Sequence, residues 1–375
     1  MLFTAEDTQF MHLAIEQAQQ ALYLSNPNPR VGCVIVKEGQ CIGVGHTQAV
    51  GGPHAEIEAL KDARTQGHNP QGATVYVTLE PCSHTGRTAP CVEALIAAKV
   101  AKVSIAMSDP NPLVSGQGIQ QLRAAGIVVQ MGLLEAEARA LNPGFIRRMC
   151  QGLPWVRMKM AASLDGKTAL PSGESQWITG PLARADGHHW RAQACAILTG
   201  VGTVIEDDPR LNVREVYTSR QPIKIIIDSH LAIPLNAQIF TTEASGVMIV
   251  YAAANSHEQQ QKAAELTARG VELIAIPNTG GKVDLTKLFS ILATKYAMKE
   301  IHVEAGFKLN GSLLREDCVN ELLLYLAPRF LGEGLGMAQV DPPAHLSQDL
   351  MGNDWRIIDQ TLFYPDLRLR LMKMN

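Results

Sequence analysis

The chain has little net charge, few aromatic residues and no hydrophobic run long enough to cross a membrane. Lys and Arg number 33 against 36 Asp and Glu, a formal net charge of -3, and aromatic residues are 5% of the chain. General attraction to nucleic acid or anionic lipid needs a basic excess, so the composition argues against both partners. The longest apolar runs, such as 31–36 and 322–326, are far shorter than the roughly 20 residues of a membrane span.

The amino-terminal segment also lacks the features of a secretion signal. MLFTAEDTQF contains two acidic residues and no basic residue, so we expect a cytoplasmic protein. The 7 cysteines are an odd number without dense spacing. In a reducing compartment, this favours metal binding or packing over disulfides.

The sequence instead has a globular composition and two series of alternating strand and helix patterns. A chain of 375 residues, 46% of them hydrophobic, is long enough for two or three domains. The first series begins with a helix over 5–24, and the second begins near residue 156 and ends in a hairpin over 355–374. Asn142-Pro143-Gly144 and Gly152-Leu153-Pro154 lie between them. We therefore take 141–154 as the best candidate domain boundary and predict two α/β domains, 1–150 and 151–375.

Four residues are spaced as the ligands and proton carrier of a catalytic zinc site. His54 and Glu56 open a predicted helix, Cys82 follows Pro81 after a predicted strand, and Cys91 opens the next predicted helix. Catalytic zinc keeps three protein ligands and an open position for water, which leaves Glu56 to transfer protons. Taken alone, each residue is more often a packed thiol, histidine or acid. Together, His-x-Glu before Pro-Cys and a later Cys is the signature of zinc-dependent nucleobase deaminases.

Two structural conditions follow from this assignment. Residues two apart on a regular helix point to opposite sides, so His54 and Glu56 can converge only in an irregular first turn. A zinc ion that only holds the fold would need a fourth ligand, and His84, between the two cysteines, is the one rival for that position.

The segments PCSHTGRTAPC, NPNPRVGCVIV and PHAEIEAL closely resemble the deaminase half of the bacterial bifunctional riboflavin biosynthesis deaminase/reductase family. Eight residues separate the cysteines here, in place of the usual C-x-x-C spacing. The resemblance implies a cytidine-deaminase-like zinc domain and a diaminopyrimidine substrate with a phosphoribosylamino arm. Thr47 and Gly52 stand where the family often has His and Glu. By resemblance, the substrate contacts are Asn28, Arg87, Asp109 and Asn111.

From about residue 155 onward, the chain resembles the reductase half of the same family. The resemblance lies in KMAASLDGK, SGESQWITG, ILTGVGTVIEDDPRLNVR, IIIDS and VEAG. It implies a dihydrofolate-reductase-like α/β domain that uses NADPH to convert the ribosyl arm to ribityl. Gly200-Val201-Gly202-Thr203 follows a predicted strand, but Ile205 replaces the third glycine of GxGxxG, so a Rossmann site is not supported.

The resemblance also assigns individual residues of the reductase half. The cofactor contacts are Ala161, Trp177, Thr203, Asp207, Ser229, Gly306, Phe307, Lys308, Leu309, Asn310, Gly311 and Ser312. The substrate contacts are Ser175, Arg191, Leu211, Arg214 and Glu304. A helix start after Gly306 suits the cofactor's phosphates, and the arginines suit a ribose phosphate gripped in a bidentate manner. Lys159 and Glu304, at strand ends, are candidate proton donors, and Lys159 is the predicted catalytic residue.

We thus predict a cytoplasmic enzyme that needs Zn²⁺ and NADPH and acts on a small phosphoribosylaminopyrimidine. We expect a homo-oligomer and no binding to nucleic acid or membrane. One alternative is a nucleoside or tRNA deaminase with a non-catalytic carboxy-terminal binding domain, but the low charge and the cysteine spacing count against it. Another is a zinc protein without catalytic activity, which would need the fourth ligand.

Overall fold

The chain divides into two compact units, Met1–Gly152 and Leu153–Asn375. The computed structural model describes residues 3–84, 89–112, 114–241, 245–340 and 355–374. Both units combine helices with a sheet, so the predicted α/β class is confirmed. No helix of these described residues is long and apolar enough to cross a membrane.

The first unit packs helices against a mixed sheet. Its described strands are β1 (Gly32–Lys37), β2 (Gln40–His46), β3 (Thr74–Val77), β4 (Lys102–Ile105) and β5 (Val128–Met131). Its described helices are α1 (Ala5–Gln19), α2 (Ala55–Thr65), α3 (Cys91–Ala97), α4 (Gln117–Ala124), α5 (Glu135–Leu141) and α6 (Pro143–Gln151). The sheet order is β2-β1-β3-β4-β5, and β3, β4 and β5 are parallel. The segments that follow β3 and β4 therefore meet at one edge of the sheet.

Helix α1 begins where its sequence predicts. Thr4 Oγ1 accepts a hydrogen bond from the Asp7 N–H at 3.0 Å, and the Asp7 carboxylate accepts one from the Thr4 N–H at 2.9 Å. This reciprocal pair is a capping box, which satisfies amides at the helix start. The helix ends at Gln19, earlier than the predicted residue 24, because the chain continues in turns.

Glycines in β2 allow α2 to lie very close to the sheet. A Cβ atom added at Gly43 would lie 2.5 Å from the Ala59 carbonyl oxygen, and one at Gly45 would lie 2.4 Å from the Ala55 carbonyl oxygen. Real Cβ atoms do not approach that closely, so only glycine fits at these two positions. The small residues of α2 and the two glycines together set the distance between helix and sheet.

The candidate boundary segment 141–154 is mostly helical, and the division between the two units falls within it, after Gly152. Helix α5 ends at Leu141 and α6 follows at Pro143, with proline in the first helical turn. Proline is tolerated there, since its missing N–H would have no partner within the helix. Phe145 is buried in the hydrophobic core of the first unit, so the segment is part of that unit.

The second unit is built on a larger sheet. Its described strands are β6 (Trp155–Ser163), β7 (Lys167–Ala169), β8 (Ala196–Gly200), β9 (Ile223–Ile227), β10 (Val247–Tyr251), β11 (Glu272–Ala275), β12 (Glu300–Val303), β13 (Glu321–Ala327), β14 (Leu335–Gly336), β15 (Trp355–Phe363) and β16 (Asp366–Lys373). Its described helices are α7 (Pro181–Gln193), α8 (Val201–Asp207), α9 (His257–Ala268), α10 (Leu285–Thr294) and α11 (Phe307–Arg315), with a 3-10 turn at Gln238–Phe240.

The order of the strands explains where a site can form in this unit. Among the described residues, nine strands pair in the order β11-β10-β9-β8-β12-β6-β13-β16-β15. The seven strands from β11 to β13 run parallel, and β16 and β15 are antiparallel. Ligands of such sheets bind beyond the carboxyl ends of the parallel strands. The predicted terminal hairpin is confirmed as β15 and β16.

Candidate active sites

Three possible metal ligands converge in the first unit. The ligand atoms of His54, Cys82 and Cys91 lie within 4.8 Å of one another. His54 Nδ1 is 3.5 Å from Cys82 Sγ and 3.3 Å from Cys91 Sγ. Two sulfur donors and one imidazole nitrogen are a donor set found in catalytic zinc sites, so these side chains fit the metal.

Helix starts position two of the three ligands. His54 is the N-cap of α2 and has extended backbone angles, φ -80° and ψ 167°, so it stands outside the regular helix as the sequence required. Cys91 is the first residue of α3, and its N–H donates to Cys82 Sγ at 3.3 Å. Hydrogen bonds with Cys91 and His54 lower the pKa of Cys82, although burial alone would raise it. The hydrogen bond with Cys82 in turn raises the pKa of His54.

The ligand set is open rather than closed. In the part of the chain that the structure describes, no further His, Cys, Asp or Glu joins His54, Cys82 and Cys91. His84, the rival ligand, is described and lies outside the group. Three ligands leave a position for water or substrate, which is the arrangement of a catalytic rather than a structural zinc site.

Glu56 lies next to the ligands without being one of them. Glu56 is 3% exposed and lies in the first turn of α2, two positions after His54. Burial, with the charge of Cys82 adding to it, raises the pKa of Glu56 to about 7. A carboxyl group of this kind can both accept and release a proton near neutral pH.

The residues assigned to the pyrimidine substrate fall in two loops. Asp109 and Asn111 follow β4, and the Asn111 N–H donates to Asp109 Oδ1 at 2.8 Å. Burial raises the pKa of Asp109, with Cys82 among the smaller influences. Asn28 lies in the loop before β1, where its N–H donates to the Ser25 carbonyl oxygen at 2.7 Å. Arg87 lies outside the described residues.

A residue that the sequence did not single out holds the Asn28 loop. The Asn142 side chain is 2% exposed and forms two hydrogen bonds with the backbone of Arg30, one to its N–H and one to its carbonyl oxygen, each 2.8 Å long. Arg30 Nη1 donates to the Leu141 carbonyl oxygen at 2.8 Å. The junction of α5 and α6 therefore fixes the loop that carries Asn28.

Thr47, which departs from the family pattern, has a clear local role. Its Oγ1 accepts a hydrogen bond from the Val31 N–H at 3.2 Å, and its own N–H donates to the Val31 carbonyl oxygen at 3.0 Å. Thr47 therefore extends the pairing beside β1. Gly52 donates its N–H to the Ala49 carbonyl oxygen in a turn before His54.

The second unit contains a large cavity beyond the carboxyl ends of the parallel strands. Its volume is about 970 Å³, which lies at the upper end of the usual range for small-molecule and cofactor sites. Every predicted substrate residue of the reductase half lines it, and so does Lys159. Of the predicted cofactor residues, Gly311 alone is outside the lining. A Cβ at Gly311 would lie 1.9 Å from the Gln339 carbonyl oxygen, so this glycine permits close backbone packing.

Arg191 is paired with Glu304, which differs from the expectation for both residues. Arg191 Nε and Nη2 donate to the two carboxylate oxygens of Glu304 at 2.5 and 2.9 Å, and Nη1 donates to the Asn212 carbonyl oxygen at 3.0 Å. The Nε–Nη2 edge therefore cannot grip a phosphate in a bidentate manner. Burial alone would raise the pKa of Glu304, but the charge of Arg191 outweighs it and holds that pKa well below its usual range. An ionised carboxylate is not a proton donor.

Lys159 is therefore the better of the two candidate proton donors. Burial lowers the pKa of Lys159, while the charge of Glu304 partly restores it. The ammonium nitrogen lies 5.7 Å from the centre of the Tyr325 ring. A lysine with a lowered pKa transfers its proton more readily than an exposed lysine.

His188 is a cavity residue that sequence analysis missed. It is 4% exposed, lines the cavity, and accepts a hydrogen bond at Nδ1 from the Arg214 N–H at 3.3 Å. Burial and the charges of Arg191 and Arg214 lower the pKa of His188 to about 3, so the imidazole is neutral. Its position three residues before Arg191 on α7 places both on one face of the helix and was the available signal.

The cofactor residues gather around two helix starts and an exposed indole. Gly306 is the N-cap of α11, and a Cβ there would lie 3.7 Å from Thr203 Oγ1 on α8. Trp177 is 59% exposed, and the Arg184 guanidinium lies 4.5 Å from the centre of its ring. Ser175, assigned to the substrate, donates to Oδ1 of Asp207, assigned to the cofactor, at 3.0 Å.

Two family models match the chain, one in each unit. The zinc-binding region of cytidine and deoxycytidylate deaminases matches residues 4–107, and the RibD C-terminal domain matches residues 154–362. The fold and sites thus define a two-domain enzyme with a deaminase half and a reductase half. The deaminase half binds zinc, and the reductase half uses a nicotinamide cofactor.

Similar proteins extend over almost the whole chain. The riboflavin biosynthesis protein RibD of Escherichia coli K12 is 45% identical over 339 residues, 87% of this chain and 89% of that protein. The structure of Acinetobacter baumannii RibD, form 1, has a TM-score of 0.88 and 41% identity over 99% of both chains. A Thermotoga maritima diaminohydroxyphosphoribosylaminopyrimidine deaminase/5-amino-6-(5-phosphoribosylamino)uracil reductase has a TM-score of 0.84 and 30% identity over 98% of this chain and 99% of that one.

The chain belongs to the RibD family of bifunctional riboflavin biosynthesis enzymes. It is a deaminase and a reductase that acts on a small molecule. The cytidine-deaminase-like and dihydrofolate-reductase-like halves expected from the sequence are confirmed by these matches.

Proposed function

We propose that the first unit deaminates 2,5-diamino-6-(5-phosphoribosylamino)pyrimidin-4-one, and that the second unit then reduces the ribosyl arm of the product to ribityl with NADPH. The observation that supports this most is the open set of His54, Cys82 and Cys91 with Glu56 beside it. The Thermotoga maritima relative carries the names of the same two reactions.

In the deaminase unit, His54, Cys82 and Cys91 would hold zinc, which when bound would supply an activated water for attack on the pyrimidine ring. Glu56, beside these ligands, would accept a proton from the attacking water and deliver protons to the ring nitrogen and the departing ammonia. Its burial beside the ligands keeps bulk water from competing for those protons. Asn28, Asp109, Asn111 and, by resemblance, Arg87 contact the substrate.

In the reductase unit, Lys159 donates the proton that accompanies hydride transfer. The imine of the opened ribosyl arm accepts a hydride at carbon and a proton at nitrogen, and NADPH supplies the hydride. Glu304 stays ionised, because Arg191 holds it, and its charge keeps Lys159 protonated over a wider pH range. The substrate lies against Ser175, Arg191, Leu211, Arg214 and Glu304.

The part of the same cavity that includes the start of α11 would hold NADPH. The first-turn amides of α11 and the positive end of its dipole suit a pyrophosphate, and Lys308 adds a cation. The exposed indole of Trp177 offers an apolar face to the cofactor. The cofactor contacts are Ala161, Trp177, Thr203, Asp207, Ser229, Gly306, Phe307, Lys308, Leu309, Asn310, Gly311 and Ser312.

The enzyme works in the cytoplasm as a homo-oligomer and binds neither nucleic acid nor membrane. The net charge of -3 supports the last two points, because it gives no general attraction to polyanions. A nucleoside or tRNA deaminase with a passive second half is not favoured, since the second unit has its own cavity.

The test supplies the phosphoribosylamino-diaminopyrimidine with and without NADPH and records ammonia and cofactor absorbance. We expect ammonia release in both mixtures. In the mixture that contains NADPH, we also expect the absorbance of the cofactor to fall as it is oxidised. Cys82→Ser should stop ammonia release and leave NADPH oxidation intact when the deaminated intermediate is supplied. Cys41→Ser, at an exposed cysteine of the same unit, is the matched control. If Cys82→Ser stops both reactions in a folded protein, the two activities do not belong to separate units.

A further inference from the structure

A buried carboxylate links the two sides of the deaminase site. Glu80 is 5% exposed and lies between β3 and the metal-ligand segment. Its Oε2 accepts hydrogen bonds from the N–H groups of Asp109 at 3.1 Å and Gly116 at 3.0 Å. Its Oε1 accepts them from Gly118 at 3.0 Å and Ile119 at 3.3 Å. Four backbone amides thus converge on one side chain.

These contacts are more specific than general packing. Among the residues that the structure describes, Glu80 has no ion pair with Lys, Arg or His, so the partners of its carboxylate oxygens are backbone amides rather than a cation. Three of the four amides belong to the start of α4, where helical N–H groups lack partners within the helix. Because a carboxylate has two oxygens that only accept, it can satisfy all four donors together.

The backbone is shaped to allow this approach. A Cβ atom at Gly118 would lie 2.3 Å from the Pro81 carbonyl oxygen and 3.3 Å from Glu80 Oε1. Any larger residue at position 118 would therefore move the start of α4 away from the segment that carries Cys82. The Glu80 N–H also donates to the Met107 carbonyl oxygen at 3.0 Å, so the segments after β3 and β4 are joined at two points.

We propose that Glu80 is a positioning residue of the deaminase, which fixes the loop bearing Asp109 and Asn111 relative to the metal ligand Cys82. One residue can hold both parts of the site because Glu80 lies two positions before Cys82 in the sequence and its Oε2 accepts a hydrogen bond from the Asp109 N–H. The Asn111 N–H then donates to Asp109 Oδ1, so the order imposed by Glu80 extends to the second proposed contact. This inference rests on the proposed role of Asp109 and Asn111 in substrate binding.

The first test is Glu80→Gln, which keeps the shape of the side chain but places an amide nitrogen against two N–H donors. We expect KM for deamination to rise about ten- to hundred-fold, as for the loss of hydrogen bonds to a charged group, with a smaller change in kcat. Zinc content and NADPH oxidation with the deaminated intermediate should equal those of the wild type. Glu16→Gln, the same change at an exposed site on α1, is the control and should change none of these.

The second test leaves the carboxylate in place. Gly118→Ala should raise KM for deamination in the same way, because the added methyl group collides with the Pro81 carbonyl oxygen. Hydrogen exchange of the wild-type protein should show slow exchange at the N–H groups of Asp109, Gly116, Gly118 and Ile119. In Glu80→Gln, the same four amides should exchange at least tenfold faster than in the wild type.

Several outcomes would overturn the inference. Wild-type KM in both Glu80→Gln and Gly118→Ala would show that the loop does not depend on Glu80. Loss of zinc with unchanged loop exchange would assign Glu80 to the metal ligands instead. If Glu80→Gln does not fold, rapid exchange of the four wild-type amides or wild-type KM in Gly118→Ala still refutes the idea. Asn111→Ala tests the proposed contact separately: an unchanged KM there rejects that contact and leaves the exchange test of Glu80 valid.

Discussion

Replacement of Asn142 by alanine should weaken the deaminase unit specifically. The Asn142 side chain makes two hydrogen bonds of 2.8 Å with the N–H and carbonyl groups of Arg30 and is 2% exposed. Alanine would remove both bonds and leave two backbone groups of Arg30 buried without those partners. The loop that carries Asn28 would lose its connection to the start of α6.

The size of the effect follows from those two groups. Loss of the partner of a buried donor or acceptor costs about 1–3 kcal/mol, so the two lost hydrogen bonds predict a decrease of about 2–6 kcal/mol in the free energy of unfolding. That is a large part of the roughly 5–15 kcal/mol that stabilises a typical domain. With a urea m-value of about 2 kcal/mol/M, the midpoint of unfolding should fall by about 1–3 M.

The distribution of tryptophan allows the two units to be followed separately. All 4 tryptophans, Trp155, Trp177, Trp190 and Trp355, lie in the second unit. Tryptophan fluorescence therefore reports unfolding of the reductase unit, while zinc release reports unfolding of the deaminase unit. In Asn142→Ala, we expect the zinc-release midpoint to fall and the fluorescence midpoint to stay within experimental error of the wild type.

The matched control is Asn69→Ala, the same change at an exposed asparagine of the same unit. Surface substitutions of this kind usually change stability by about 0.5 kcal/mol or less. If Asn142→Ala is no less stable than Asn69→Ala, the two hydrogen bonds to Arg30 do not stabilise the unit. An equal fall of both midpoints would mean that the effect is not confined to the deaminase unit.

Three further substitutions test individual roles in the two reactions. Glu56→Gln should keep the zinc and lose ammonia release, because the carboxylate moves protons and is not a ligand; metal analysis showing loss of zinc would assign it another role. Lys159→Met should bind NADPH, measured by fluorescence titration, but not oxidise it. With wild-type enzyme, the reductase rate should fall as pH rises through the lowered pKa of Lys159, because the deprotonated amine is no longer an acid. Arg214→Ala should lower kcat/KM of the reductase about ten- to hundred-fold, mainly through KM, and a KM equal to that of the wild type would exclude a phosphate contact.

The metal ligands could be found from the sequence because local rules fix them. His54 and Cys91 mark helix starts, and Cys82 follows a short strand, so the ligands could be expected at the same edge of a sheet. The structure adds the extended backbone of His54, which the sequence could state only as a condition. The family resemblance supplied the two activities, and the matches to known proteins confirm them.

Long-range pairing is what the sequence could not show. Glu304 and Arg191 are 113 positions apart, and their ion pair is the reason that we propose neither a proton donor at Glu304 nor a bidentate phosphate grip by Arg191. Asn142 and Arg30 are 112 positions apart, and no local pattern marks either as part of a loop anchor. The helix α6 within the boundary segment could not be predicted for a different reason, since Asn142-Pro143-Gly144 suits a helix start as well as a turn.

In this unit, a position that tolerates no substitution is not necessarily a catalytic or metal-binding residue, and the glycines of β2 are the example. Gly43 and Gly45 are not predicted to contact substrate or metal. The backbone of α2 nevertheless lies so close to both that a single added methyl group would collide with it. A larger side chain at either position would collide with α2, and we expect His54 and Glu56, at the start of that helix, to move away from the two cysteines. In a saturation scan scored by zinc occupancy, we expect these two inert positions to be as intolerant of substitution as the ligands themselves.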